Sequence, residues 1–234
     1  FLWLGRRYGF ALNPDKAATQ CADALHSYAQ MLIPRLNEES DMTADMQSIL
    51  ERQKAAFTAA MPEPMSVRRD RMERAIALLV DYKDAFAKAV SADFGHRSTE
   101  QTLMTDIMPS VSALKHAKKH FESWAKGERR KPTFPLGLIG AKAEVVFQPK
   151  GVVGVIAPWN FPVNLVMGPV AGAFAAGNRV MVKTSEFTPR TAALFEELSP
   201  KYFAEDELAF FSGGADVGKA FSELPFDHLI FTGA

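Results

Sequence analysis

The chain has 234 residues, 47% hydrophobic and 23% charged, which fits one large or two small globular domains with a substantial buried core. Its 27 Lys and Arg balance 27 Asp and Glu, so no electrostatic argument favours nucleic acid or an anionic membrane as a partner. The single cysteine excludes an internal disulfide framework and fits a reducing compartment, and with no secretory pattern the expected location is the cytoplasm.

Residues 1–43 read as a leader separate from the rest. Within them Asp15 to Leu36 has helical spacing, with Ala18, Ala22, Leu25, Ala29 and Leu32 on one face. Cys21 falls on this amphipathic stretch and reads as a small core hydrophobe in preference to a catalytic thiol. Thr43 to Met61 is a second helical stretch, with Met46, Ile49, Leu50, Ala56 and Phe57 as its apolar face, ended by Pro62 and Pro64. Ser66 is the expected cap of a long helix to about Ala92. Asp93 to His96 reads as a turn. Ser98 and Gln101 have the spacing of a helix-opening capping box, and that helix runs to about Trp124 with a kink expected at Pro109. Lys115, Lys118 and Lys119 read as a solvated helix face, since no aromatic side chains interleave with them.

Gly127 to Pro135 is a basic, proline-bearing linker, and Ala143 to Gln148 alternates as a strand. Gly151 to Ile156 is a short β-branched run, read as a buried strand, broken by Ala157-Pro158-Trp159-Asn160-Phe161-Pro162. A small-residue helix over Leu165 to Ala176 is stopped by Gly177-Asn178, and it is too short to span a bilayer. Arg179 to Val182 is the next strand, with Lys183-Thr184-Ser185-Glu186 past its carboxyl end. Pro189 opens a helix to about Leu198, Glu207 to Phe211 is a strand, Asp216 to Leu224 a helix and Leu229 to Phe231 a strand. The alternation β-α-β-α-β-α-β predicts an α/β fold class: a helical N-terminal region leading into a doubly wound parallel sheet.

Open α/β sheets bind ligands past the carboxyl ends of their strands, so the polar residues there are the candidates. Lys183 and Glu186 could hydrogen-bond two ribose hydroxyls, or form a loop ion pair of little consequence. Asn160 could aim its amide at a developing oxyanion, or cap the following turn. Gly151 and Gly154 lie within a strand, where tight packing competes with nucleotide binding as the reason for glycine. No metal-ligand spacing stands out.

Three stretches taken together carry a family resemblance. G-V-V-G-V-I-A-P-W-N-F-P at Gly151 to Pro162, A-A-G-N-R-V-M-V-K-T-S-E-F-T-P at Ala175 to Pro189, and D-H-L-I-F-T-G at Asp227 to Gly233 resemble the NAD(P)-dependent aldehyde dehydrogenase superfamily. Ser91 to Ser98, S-A-D-F-G-H-R-S, is similar to its bacterial coniferyl-aldehyde dehydrogenase branch. The resemblance implies a Rossmann-like sheet, here incomplete, and oxidation of an aromatic, coniferyl-type aldehyde to its acid. Asn160 would be the oxyanion-hole amide. Lys183 and Glu186 would hold the adenosine ribose. Ile156, Ala157, Pro158 and Trp159 would line the cofactor cleft. Gly213, Gly214 and Gly218 would lie near the adenine and pyrophosphate, with Thr232 and Gly233 on the pyrophosphate side. The carboxylate of Glu186 disfavours a 2′-phosphate, so NAD is expected ahead of NADP.

The resemblance also implies a division into residues 44–130, a helical part; 131–149, a linker and strand used in oligomerisation; and 150–234, the NAD(P)-binding part. A homodimer or homotetramer is expected of the full-length protein, with a small-molecule aldehyde as substrate and neither nucleic acid nor membrane as partner. Thr184 stands where the family usually has proline, and Ala234 where it has serine. The family's nucleophilic cysteine and general-base glutamate fall after the F-T-G motif, so a fragment inactive by itself is expected. The alternative is a non-catalytic nucleotide-binding remnant of the same fold.

Overall fold

The computed structural model describes residues 42–233. The expected helix over Asp15 to Leu36, with Cys21 in it, and Ala234 lie outside the described residues. Residues 42–60 form α1, whose Met46, Ile49 and Leu50 are buried as their spacing predicts. Gln53 joins that face: its amide donates to the carbonyls of Val180 (3.1 Å) and Glu205 (2.9 Å), tying α1 to the sheet.

Helix α2 spans Met65–Asp81 and α3 spans Lys83–Phe94. Two expectations are corrected here. Pro64, in extended conformation, occupies the cap position in place of Ser66, and no side chain caps α2. The single helix to Ala92 is also interrupted. Tyr82 leaves the helical region (φ −112°, ψ 17°), where its ring packs edge-on against Tyr202 at 6.3 Å. Gly95 in the left-handed conformation (φ 73°) ends α3.

Ser98 caps α4, Thr99–Thr102, by accepting from the Gln101 N–H at 3.0 Å. A π-turn over Leu103–Ile107 follows, and α5 spans Met108–Trp124. The irregularity expected at Pro109 thus falls ahead of it, ending two residues earlier at Ile107. Proline has no N–H to donate and its ring crowds the preceding turn, and the Met108 N–H reaches back five residues to Leu103.

The segment expected as a bare linker contains a strand. β1, Glu128–Arg130, pairs antiparallel with β2, Ala143–Val145, in the register Glu128↔Val145. The strand expected over Ala143 to Gln148 is therefore shorter, and it has a partner. The tip between β1 and β2 exposes Phe134, Leu138 and Ile139.

The remaining elements alternate as expected: β3 Val152–Ile156, α6 Asn164–Ala176, β4 Arg179–Lys183, α7 Pro189–Leu198, β5 Leu208–Phe211, α8 Ala215–Glu223, β6 His228–Phe231. All four strands are parallel, in the order β5-β4-β3-β6. The chain moves outward from β3 to β5 and then returns to the other side of β3. Right-handed crossovers place the helices of the two directions on opposite faces, and the burial pattern follows. Val153, Val155, Val180 and Val182 pack with α2, α3, α5, α6 and α7, while Val152, Met181, Ala209 and Phe211 pack with α1 and α8.

Gly154 in β3 and Gly151 just before it serve packing. A Cβ on Gly154 would lie 2.6 Å from Phe226 Cδ2, and one on Gly151 (φ 142°) 2.2 Å from Asp227 Oδ2. That Asp227 oxygen accepts the Val152 N–H at 2.8 Å. A buried cluster fastens α2 to the start of β5: Arg71 pairs with Glu63 (2.7 Å) and Glu207 (3.0 Å), and Arg74 with Glu207 (2.8 Å). Burial by itself would raise the Glu207 carboxyl. Hydrogen bonds from Arg74 and Arg71, with their charges, outweigh that and lower it to about 2.

Candidate active site

The strand order reverses between β3 and β6, and a cleft opens past their carboxyl ends, as open α/β sheets lead one to expect. The cleft holds about 680 Å³, within the range of small-molecule and cofactor sites. Ile156 and Phe231, register partners at the ends of β3 and β6, both line it. Ala157, Pro158 and Trp159 line it beyond β3, and Thr232 and Gly233 beyond β6. Lys183 also lines it, as the last residue of β4 and not past its end as expected, and the loop that follows contributes Thr184 to Phe187.

Helix α8 forms the remaining wall. Ala215, Gly218, Lys219 and Ser222 face the cleft, while Val217 and Phe221 face the core. Beyond its chain neighbours and, for Gly218, its own helix backbone, neither Gly214 nor Gly218 would bring a Cβ within 4 Å of another atom, so both stand against open space. Small residues on this wall leave room for a ligand. Of the expected cofactor residues, only Gly213 does not line the cleft; it forms the turn into α8 at φ 136°, where a Cβ would strike Val217.

Lys183 is 3% exposed, and its ammonium donates to the Thr184 carbonyl at 2.6 Å. Burial lowers its pKa, opposed by the charges of Glu186 and Glu196. The Glu186 carboxylate lies 3.8 Å from the Lys183 nitrogen, an ion pair beyond hydrogen-bonding distance. Glu186 thus accepts no hydrogen bond from another described residue, and its side chain is 38% exposed.

Asn160 is exposed, one residue beyond Trp159, and does not itself line the cleft. Its side-chain amide makes no hydrogen bond to a described residue. The capping role considered for it belongs to Asp106. That carboxylate is fully buried, and its Oδ1 accepts the N–H groups of Val163 (3.0 Å) and Asn164 (3.1 Å) at the start of α6. The positive end of the α6 dipole favours a carboxylate there. Burial raises the Asp106 pKa, opposed by those two backbone donors, by the charge of Arg97 and by the Thr105 hydroxyl.

Arg97 bridges the two. One of its nitrogens lies 3.3 Å from Asp106 Oδ2, and another donates to the Asn160 carbonyl at 2.8 Å. Its guanidinium also sits 3.9 Å from the Phe94 ring centroid. Arg97, Asp106 and Lys219 are not among the candidates read from the sequence. The first two meet their partners about 60 residues away, a pairing without local signal. The i, i+3, i+4, i+7 spacing of Ala215, Gly218, Lys219 and Ser222 is a signal that could have found the third.

A parallel sheet with its helices on both faces, and a cleft where the strand order reverses, defines a doubly wound nucleotide-site architecture. Residues 26–234 match the aldehyde dehydrogenase family, and the chain belongs to it. It is 54% identical over 192 residues to a probable coniferyl aldehyde dehydrogenase of Caulobacter vibrioides, covering 82% of this chain and 40% of that protein. It is 54% identical over 186 residues to the coniferyl aldehyde dehydrogenase of a Pseudomonas species, covering 80% and 38%. A solved mutant of P. syringae AldA, an indole-3-acetaldehyde dehydrogenase in complex with NAD+ and IAA, aligns with a TM-score of 0.71 at 26% identity, over 82% of this chain and 38% of that one. The chain thus spans about two fifths of the length of these relatives. Among the described residues no helix is long and apolar enough to cross a membrane.

Proposed function

We propose that this chain provides the NAD(P)-binding part and the oxyanion amide of an aldehyde dehydrogenase that oxidises an aromatic, coniferyl-type aldehyde to its acid. The observation that carries the reading is convergence. Residues from the ends of β3, β4 and β6 and one face of α8 meet around a single cleft at the reversal of strand order. The two relatives named for coniferyl aldehyde support the substrate class.

The cleft fits a dinucleotide in size and in its bare α8 wall. The chemistry that NAD(P)+ supplies when bound is acceptance of hydride. Glu186 offers a carboxylate with unused acceptor capacity to the ribose hydroxyls, and Lys183 a buried cation beside it. Gly214 and Gly218 allow close approach along α8, with Gly213 shaping the turn before them. Ile156 to Trp159 on one side and Thr232 with Gly233 on the other confine the ligand between β3 and β6. Asn160 donates its free amide to the oxygen of the tetrahedral adduct as negative charge develops there. Cys21 is the only thiol of the chain and is not assigned the nucleophilic role.

Glu186 repels a 2′-phosphate, so NAD+ binds more tightly than NADP+, with Lys183 and Lys219 reducing the gap. Trp159, half exposed at the cleft, is a built-in reporter. Titrating the chain with each cofactor by tryptophan fluorescence tests the reading. Glu186→Gln should weaken NAD+ by about tenfold, as expected for loss of a charged hydrogen bond, and narrow the preference over NADP+. Unchanged affinities in this variant would remove Glu186 from the site.

The tip and β2 of the β1–β2 arm fall within residues 131–149, the stretch assigned to oligomerisation, and the tip carries Phe134 (81% exposed), Leu138 (78%) and Ile139 (80%). Such a patch supports pairing of whole subunits into a homodimer or homotetramer.

A further inference from the structure

We propose that Arg97 is a positioning residue for Asn160, and that Asp106 is the anchor through which it acts. The proposal rests on the reading of Asn160 as the oxyanion amide. It goes beyond that reading by naming what holds the backbone from which the amide projects.

The loop from Pro158 to Pro162 has no regular structure of its own. Besides the Leu165 N–H bond to the Phe161 carbonyl (2.9 Å) and the Trp159 ring against Phe94 (6.0 Å), two contacts tie the loop and its exit to the segment before α4 and to the π-turn. Arg97 donates to the Asn160 carbonyl at 2.8 Å, and Asp106 accepts the Val163 and Asn164 N–H groups just beyond Pro162. The two anchors are joined by the 3.3 Å ion pair between Arg97 and Asp106. The Arg97 guanidinium has Phe94 and Phe161 at 3.9 and 5.4 Å, so the loop's own aromatic side chain helps to hold it. Arg97 is 9% exposed and Asp106 0%, which leaves little water to loosen either contact.

Fixing the carbonyl at position 160 fixes the peptide plane that follows the Asn160 Cα, and so the stretch of backbone from which its side chain projects. An oxyanion donor acts through pre-set geometry, and a misplacement of about 1 Å can cost on the order of a hundredfold in rate. The π-turn over Leu103–Ile107 contains Asp106, and π-turns recur where a helix must aim one residue at a functional site. Lysine cannot replace Arg97 here, because it lacks the planar fork that serves a carbonyl and a carboxylate together while stacking on a ring.

The test is a double-mutant cycle in the whole enzyme, expressed from the reading frame that encodes this chain. The variants are Arg97→Lys, Arg97→Met and Asn160→Ala, read by kcat, KM and cofactor affinity. We expect Arg97→Lys and Arg97→Met to lower kcat about 10- to 100-fold, with the Kd for NAD+ within twofold of the parent. Arg97→Met should cost nothing further in the Asn160→Ala background, because the group it positions is gone. Losses that multiply would mean a general structural role and overturn the proposal, as would full activity of both Arg97 variants. Full activity of Asn160→Ala would instead overturn the reading of the site on which the proposal rests.

Amide hydrogen exchange on the 234-residue chain is an independent measurement that needs no turnover. Arg97→Lys should speed exchange in Phe161 to Leu165 at least tenfold and leave β3 and β4 unchanged. No change at Phe161 to Leu165, or equal change throughout the chain, would count against Arg97 as the anchor.

Discussion

Replacing Glu207 with glutamine tests the ion-pair cluster between α2 and the start of β5. Its carboxylate accepts from Arg71 at 3.0 Å and from Arg74 at 2.8 and 2.9 Å, with its side chain 17% exposed. The folded-state pKa is about 2, against an ordinary value of 4.5. A depressed carboxylate stabilises the fold above its unfolded pKa, and that stability is lost as pH falls through the folded value. The shift converts to about 3 kcal/mol at pH 7, fading between about pH 5 and pH 2. Glutamine keeps the shape but removes the charge and turns an amide donor toward two guanidinium groups. Urea denaturation of the parent and Glu207→Gln chains, from pH 7 down to pH 3, measures both quantities. The expected result is a loss of about 2–4 kcal/mol at pH 7, consistent with breaking one side of a buried ion pair. The gap should narrow as the medium is acidified. A loss below 0.5 kcal/mol at pH 7, or a gap independent of pH, would refute the claim that this cluster fastens α2 to β5.

Two further outcomes follow from the exposed arm and from the lone thiol. Leu138→Asp with Ile139→Asp should leave the melting temperature of the chain within about 2 °C, since both side chains face solvent, and should shift the whole enzyme toward monomer in light scattering. The 234-residue chain itself should show no NAD-dependent oxidation of coniferyl-type aldehydes; turnover abolished by Asn160→Ala would contradict this.

The order and type of the elements from β3 to β6 were legible because hydrophobic runs, Gly177 and Pro189 mark their ends locally. The lining of the cleft was legible where it lies at a strand end, as with Lys183 and Glu186. The surroundings of the cleft were illegible where a side chain's place depends on a distant partner. Asp106 reads as an ordinary polar residue on a helix until the chain folds and α6 meets it, and Arg97 until Asn160 does. The break at Tyr82 and the pairing of Glu128–Arg130 with β2 also lack local signals, since both arise from contacts across the fold. For β3, Gly154 could have meant packing or nucleotide contact, and only the position of Phe226 distinguishes them.

Gly218 offers the most direct test that the cleft is a dinucleotide site. Its Cβ position faces open space on a helix, so a larger side chain fills the cleft without straining the fold. Isothermal titration of NAD+ into the parent and Gly218→Leu chains is the measurement. A dinucleotide cleft predicts saturable binding to the parent and at least a tenfold loss in the variant, with the melting temperature unchanged or raised. Equal binding to both chains would place the cofactor elsewhere and contradict the assignment of this cleft.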